Sequence, residues 1–339
     1  MKFDVVVGNP PFEKTLEGTS DAPIYNYFYD LASVIGKKYC LISPARFLFN
    51  TGGTSKAWNE KMLNDPHIQV EYYNPEATDV FRDTGFKGGV AVLYRDESKE
   101  LGPIGTFTKF PLLNEILSKV TRSDTFESII PMVTLQEKFD LKKLYTDYPQ
   151  MESLIGSKGK EKRLTTSIFS TVPSLFNDYY SSDCDVEILG LINNKRVYKF
   201  INGKYIAKHE NLNSWKVILP KSNGTGLFGE RLSSPIVGRP GLGHTQSFIS
   251  FGKFNSSAEA NNLLKYLKSK FCRALLGAIK STQDNNPATW AKVPVQDFSN
   301  DSNIDWNKPV SDIDHQLYML YRLNRAEIDF IESKVKPMN

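Results

Sequence analysis

Four consecutive residues near the start of the chain carry the strongest chemical signal. They are Asn9-Pro10-Pro11-Phe12, and they follow the run Val5-Val6-Val7-Gly8. The Asn9 side-chain oxygen and the Pro10 carbonyl are two acceptors set close together. They can receive both hydrogens of a planar exocyclic amine. Phe12 supplies a ring on which the heterocycle bearing that amine can stack. Pro10 and Pro11 fix φ and remove two donors, so the backbone carrying these groups is rigid and leaves both helix and ladder. A rigid turn at a strand end, with no chemistry attached, accounts for the same four residues. Taken alone they do not choose between the two readings.

The elements that must position this stretch are legible on either side of it. Three consecutive β-branched residues predict a strand buried on both faces. Asn9 then stands at the carboxyl end of that strand, where open α/β sheets place ligands. Residues 13–23 read as a polar loop. Apolar spacing predicts a helix over 24–35, ended by Gly36. A strand over 39–43 is stopped by Pro44, a helix follows over 55–63, and a strand over 68–73. Residues 74–81 form a loop, and a last strand opens on Gly88-Gly89 and runs to Arg95. Strand, helix, strand, helix, strand, strand is half of an α/β sheet.

Asn-Pro-Pro-Phe after a valine-rich strand resembles the catalytic motif of the N6-adenine DNA methyltransferases. Leu41-Ile42-Ser43-Pro44-Ala45-Arg46-Phe47-Leu48 resembles the next core strand and turn of that family. Val80-Phe81, followed by Phe86-Lys87-Gly88-Gly89-Val90-Ala91-Val92-Leu93, resembles the motif whose aromatic residue contacts the flipped adenine. The order fits the methylases of type II restriction–modification systems, in which a target-recognition domain follows the catalytic domain. The resemblance implies site-specific methylation of adenine N6 in DNA. Asn9, Pro10, Pro11 and Phe12 would form the catalytic motif, and Phe12 and Phe81 would stack on the base, with Phe86 a competitor for Phe81.

The resemblance also implies S-adenosylmethionine as methyl donor, held by an acidic-Pro-x-x-Gly-x-Gly loop upstream of the catalytic motif. Eight residues precede Asn9. The first three strands of the family's sheet are therefore expected outside this chain, together with most of the cofactor site, and cofactor-binding residues stay unknown. The segment Gly238-Arg239-Pro240-Gly241-Leu242-Gly243 has glycines at suggestive spacing but no acidic residue and a proline within the turn. It reads as a turn of the recognition domain. On this reading the chain alone binds cofactor poorly and is inactive unless a second chain supplies the missing strands.

The fold class expected is α/β. An incomplete Rossmann-like methyltransferase sheet (residues 1–100, the catalytic half without its first strands) precedes a mixed α+β target-recognition domain (101–305) and a C-terminal helix pair (306–339). With 339 residues, 40% of them apolar, the chain can bury a core in about two domains. A net charge of +4 is compatible with nucleic acid without requiring it. Cys40, Cys184 and Cys272 are few and far apart, which argues against a disulfide framework or zinc cluster and for a reducing cytoplasm. No apolar run has the length of a membrane span, and no membrane partner is expected.

Double-stranded DNA is the expected partner, beside a second chain carrying the N-terminal methyltransferase half or a nuclease. Lys158 and Lys160 lie in a basic loop and Lys87 beside the Gly pair. Lys195, Arg196 and Lys199 alternate with aromatics on a hairpin turned by Asn193-Asn194. These six are the expected DNA contacts. An ordinary two-faced sheet with its charges in water explains the hairpin equally well. Residues 258–276 predict one long helix, and Asn324-Arg325-Ala326-Glu327 has the form of a capping box. Asp301, Asp305, Asp312 and Asp314 read as caps and turns rather than as a metal site. Two alternatives stay open: a non-catalytic DNA-binding fragment, and a methyltransferase acting on RNA or on a protein glutamine.

Overall fold

The valine run forms β1 (Phe3–Gly8). Two-residue strands β2 (Glu13–Lys14) and β3 (Ala22–Pro23) pair after the proline turn. Then come α1 (Tyr25–Ile35), β4 (Gly36–Pro44), α2 (Lys56–Asn64), β5 (Ile68–Asn74) and β6 (Val90–Asp96). The computed structural model describes residues 2–14, 22–82, 88–155, 159–280 and 282–338. It divides into two compact units, residues 1–115 and 116–339.

In the first unit the sheet order is β1-β4-β6-β5. β1 runs parallel to β4, with Gly8 opposite Leu41, and β6 is antiparallel to both of its neighbours. α1 is held on this sheet by an aromatic cluster. Tyr29, Phe47 and Trp58 stand with ring centroids 5.1–6.2 Å apart. The Tyr29 hydroxyl lies 3.0 Å from Ser43 Oγ, which satisfies a polar group inside that cluster.

One expectation fails here. β1 is not buried on both faces: Phe3, Val5 and Val7 are 67%, 51% and 74% exposed. The reason is alternation along the strand. Val6 packs on the core, while Phe3, Val5 and Val7 share the opposite face, which the described residues leave open. A β-branched run reports that a strand forms, not how many neighbours it has. α1 behaves likewise, with Tyr25, Tyr29 and Ala32 inward and Tyr27, Leu31 and Val34 exposed.

The division between units falls inside α3 (Pro111–Thr121). The second unit then contains β7 (Val133–Thr134), α4 (Leu141–Asp147), α5 (Met151–Leu154), α6 (Ile168–Thr171), β8 (Asp185–Ile192) and β9 (Lys195–Asn202). It continues with β10 (Trp215–Pro220), β11 (Ile236–Gly238), β12 (Leu242–His244) and β13 (Phe248–Phe254). One sheet is antiparallel throughout, in the order β11-β10-β13-β7, and another has the order β12-β8-β9. Asn193 and Asn194 turn the β8–β9 hairpin with φ of 51° and 60°, a conformation asparagine tolerates better than most residues.

The long helix expected over 258–276 is two, α7 (Ser257–Lys268) and α8 (Lys270–Gly277). Ser269 is extended between them (ψ 148°) and its hydroxyl accepts from Cys272 N, so it caps the second helix. Asp314, on α9 (Val310–Leu320), accepts the backbone N–H groups of Lys270 and Phe271, which gives that acid a capping role. α10 (Arg325–Lys334) starts on the expected Asn324/Glu327 capping box. Ahead of the basic loop, Met151 and Ile155 are buried in the same core as Ile188 of β8 and Ile201 of β9. Among the described residues no helix is long and apolar enough to cross a membrane.

Candidate functional site

β1 delivers its last residue, Gly8, in register with β4, and the two prolines then turn the chain off the sheet. Asn9 is exposed at this strand end, Pro10 is buried, Pro11 is exposed, and Phe12 is half-buried. Among the described residues the Asn9 amide has no hydrogen-bond partner, so its oxygen stays available as an acceptor. Ile24 N donates to the Phe12 carbonyl at 3.1 Å, which ties the turn to the start of α1.

Phe81 comes from the far side of the sheet. After β5 the chain makes a tight turn at 77–79, where Val80 N and Phe81 N both donate to the Ala77 carbonyl (3.1 and 2.9 Å). The result is an edge-to-face contact between Phe12 and Phe81, ring centroids 5.7 Å apart and planes at 70°. Residues 69 positions apart in sequence thus meet beside Asn9's turn. A T-shaped pair contributes about 0.5–1.5 kcal/mol beyond its buried area. Both rings are half-buried rather than sealed in, which leaves aromatic surface for a flat ligand.

Arg46, from the Leu41–Leu48 strand and turn, and Glu13 complete the arrangement. Arg46 Nη1 lies 3.4 Å from Glu13 Oε1, the residue after Phe12. The Arg46 stem packs on two glycines in the left-handed region. A Cβ on Gly52 (φ 94°) would fall 2.4 Å from Arg46 Cβ, and one on Gly88 (φ 99°) 2.7 Å from Arg46 Cγ. Gly89 is required as well, since its Cβ would meet the Asn74 carbonyl at 2.3 Å. One glycine of each pair, Gly52 and Gly88, is therefore the sequence signal for Arg46: the two let their loops close on its stem. Nearby, burial pushes the Tyr25 hydroxyl up to about 12, with neighbouring Thr54 and the Arg46 charge pulling the other way.

The expected DNA contacts fare differently. Lys87 and Lys158, and Phe86, lie outside the described residues. Lys160 and Lys195 are exposed. Lys199 Nζ pairs with Asp178 Oδ1 at 2.5 Å. Arg196 donates to the Ser234 carbonyl at 2.6 Å and lies over the Phe248 ring, 5.6 Å from its centroid. Two of the hairpin's three cations are thus engaged within the protein.

Comparison with known proteins adds a family match to this geometry. Residues 1–81 match the Eco57I restriction-modification methylase family. That match runs from the chain start through Phe81, so it contains both aromatic residues and the Asn-Pro-Pro turn. No curated protein matches the chain in sequence. Among solved structures, one similar to this chain is the type IIG restriction endonuclease BpuSI, at 10% identity and TM-score 0.31, over 87% of this chain and 44% of that one. Another is the type IIL restriction-modification enzyme MmeI in complex with DNA, at 10% identity and TM-score 0.31, over 98% of this chain and 56% of that one. The chain spans about half the length of these structures.

Proposed function

We propose that this chain carries the base-holding part of a DNA adenine-N6 methyltransferase of a restriction–modification system. The observation that carries the proposal is the meeting of Phe12 with Phe81 beside an unpartnered Asn9 amide. The family match over residues 1–81 supports it. Adenine leaves the duplex at a cost of about a few kcal/mol and stacks on the aromatic pair. Asn9 Oδ1 and the Pro10 carbonyl accept the two amino hydrogens. This draws the nitrogen out of the ring plane and returns its delocalised lone pair, which makes it a nucleophile. The gain is positioning and electrostatic preorganisation, with no formal base.

S-adenosylmethionine supplies an electrophilic methyl group when bound. The face of β1 opposite Val6 carries Phe3, Val5 and Val7 in the open rather than polar groups for a nucleoside, so the described residues of the first unit do not by themselves fit a seat for it. A further piece of α/β structure, from this polypeptide or a second chain, would cover that face and hold the cofactor. The second unit would read the DNA site.

The test is adenine methylation of plasmid DNA in cells expressing the chain together with the segment that holds the cofactor. Asn9→Ala is expected to lower methylation by about 100-fold or more. Wild-type levels of N6-methyladenine in that variant would remove Asn9 from the mechanism.

A further inference from the structure

The second unit contains an open groove of about 830 Å³, and its walls are basic. Lys138, Arg163, Lys208 and Lys253 line it, with His209 and Glu210 between them. Lys253 is engaged by Glu210 (2.7 Å), and the His209 ring by the buried carboxylate of Glu137. Lys138, Arg163 and Lys208 are exposed, and among the described residues they have no ion pair.

Backbone pairing brings the segments that carry these three side by side. Lys138 and Arg163 form an antiparallel bridge, and Leu164 N donates to the Glu137 carbonyl at 3.0 Å. On the other side of the same segment, Ala207 N donates to the Lys138 carbonyl at 2.8 Å, which puts Ala207 opposite Lys138 and Lys208 one residue further on. Three adjacent segments, about 5 Å apart, therefore each contribute one cation to the groove. An open set of cations without ion pairs suits a polyanion such as a nucleic-acid backbone rather than a small enclosed ligand.

We propose that this groove seats the sugar–phosphate backbone of a DNA duplex, with Lys138, Arg163 and Lys208 on its phosphates. The inference rests on the methyltransferase reading for its choice of DNA, and it moves the expected contact surface from the β9 face to the groove. Its sequence mark is partial, since Lys160 and Arg163 belong to one basic segment.

The experiment is fluorescence anisotropy of the full chain with a labelled duplex of about 30 base pairs, over a series of salt concentrations and without cofactor. The triple variant Lys138→Gln, Arg163→Gln, Lys208→Gln is expected to bind at least tenfold more weakly at low salt. The slope of log K against log salt is expected to flatten by about 2–3. Lys195→Gln with Lys199→Gln is expected to leave the slope unchanged, and circular dichroism checks that each variant is folded. A wild-type slope in the folded triple variant, loss of the slope in the hairpin variant instead, no duplex binding by the wild type, or a groove-dependent preference for duplex RNA would each overturn the assignment. Asn9→Ala separates the two readings. Methylation that depends on Asn9, with a wild-type slope in the triple variant, sinks the groove alone. A flattened slope with methylation indifferent to Asn9 sinks the base-holding role alone.

Discussion

Phe81 is where residue chemistry and position can be told apart. Its ring meets Phe12 at 5.7 Å edge-to-face, a geometry that depends on an aromatic quadrupole and not on volume alone. Phe81→Leu keeps most of the apolar bulk and loses that interaction. In DNA carrying 2-aminopurine at the target adenine, the variant is expected to show a smaller fluorescence rise on binding, by about 2- to 10-fold in the flipped population, for a loss of ~0.5–1.5 kcal/mol. An undiminished rise would make Phe81 a loop anchor only. Arg46 belongs at this scale too. Gly52 and Gly88 admit its stem, and Glu13 takes its charge beside Phe12, so its work is to hold the Phe12 loop.

At the scale of elements, the exposed edge of β1 is the feature with consequences. An apolar edge strand offers unpaired backbone groups and side chains to any second strand. Here Phe3 and Val7 are 67% and 74% exposed, and α1 adds Tyr27, Leu31 and Val34 at helical spacing. Phe3→Ser with Val7→Lys is expected to reduce self-association of the isolated chain in sedimentation velocity. In co-expression with the cofactor-holding segment the same variant should abolish methylation. If both forms sediment as monomers and methylate equally, nothing docks on that edge. The break between α7 and α8 shows the opposite case, in which a local residue decides. Ser269 caps α8 and interrupts an apolar period that runs straight through it.

Over the whole molecule, the buried ionisable groups set how stability responds to pH. Lys216 is fully buried. Its Nζ donates to the carbonyls of Leu212 (3.1 Å) and Leu242 (2.8 Å), and burial pulls its amine down to about 8, with Glu137 opposing. The folded state thus binds fewer protons here than the unfolded chain between about pH 8 and the ordinary lysine value of 10.5. A group depressed in this way favours folding above its unfolded value, and the contribution is lost as pH falls through the folded one. The contribution of this site to stability should therefore rise from pH 8 towards 10.5, by on the order of 3 kcal/mol. Urea unfolding of the wild type and of Lys216→Met across this range reads the effect as a difference. Parallel pH dependence in the two proteins would show that Lys216 does not titrate there.

Much of this protein is legible in its sequence, wherever local chemistry decides the outcome. The proline pair ends β1 wherever it lies, the Asn193-Asn194 turn makes a hairpin, and Asn324 with Glu327 caps α10, because each outcome depends on covalent geometry or neighbours within a few residues. Asn9 stands out for the same reason, since acceptor, rigid backbone and ring are adjacent in sequence. What depends on residues far apart is decided only by the tertiary structure. β1's exposure follows from which of its faces the core covers, Arg46's position from three loops, and the engagement of Arg196 and Lys199 from partners in other segments. Lys138, Arg163 and Lys208 come to one groove only through the pairing of three segments. Asn9-Pro10-Pro11-Phe12 specifies acceptors beside a ring, and folding brings Phe81 to that ring, because an aromatic pair 69 residues apart has no local cause.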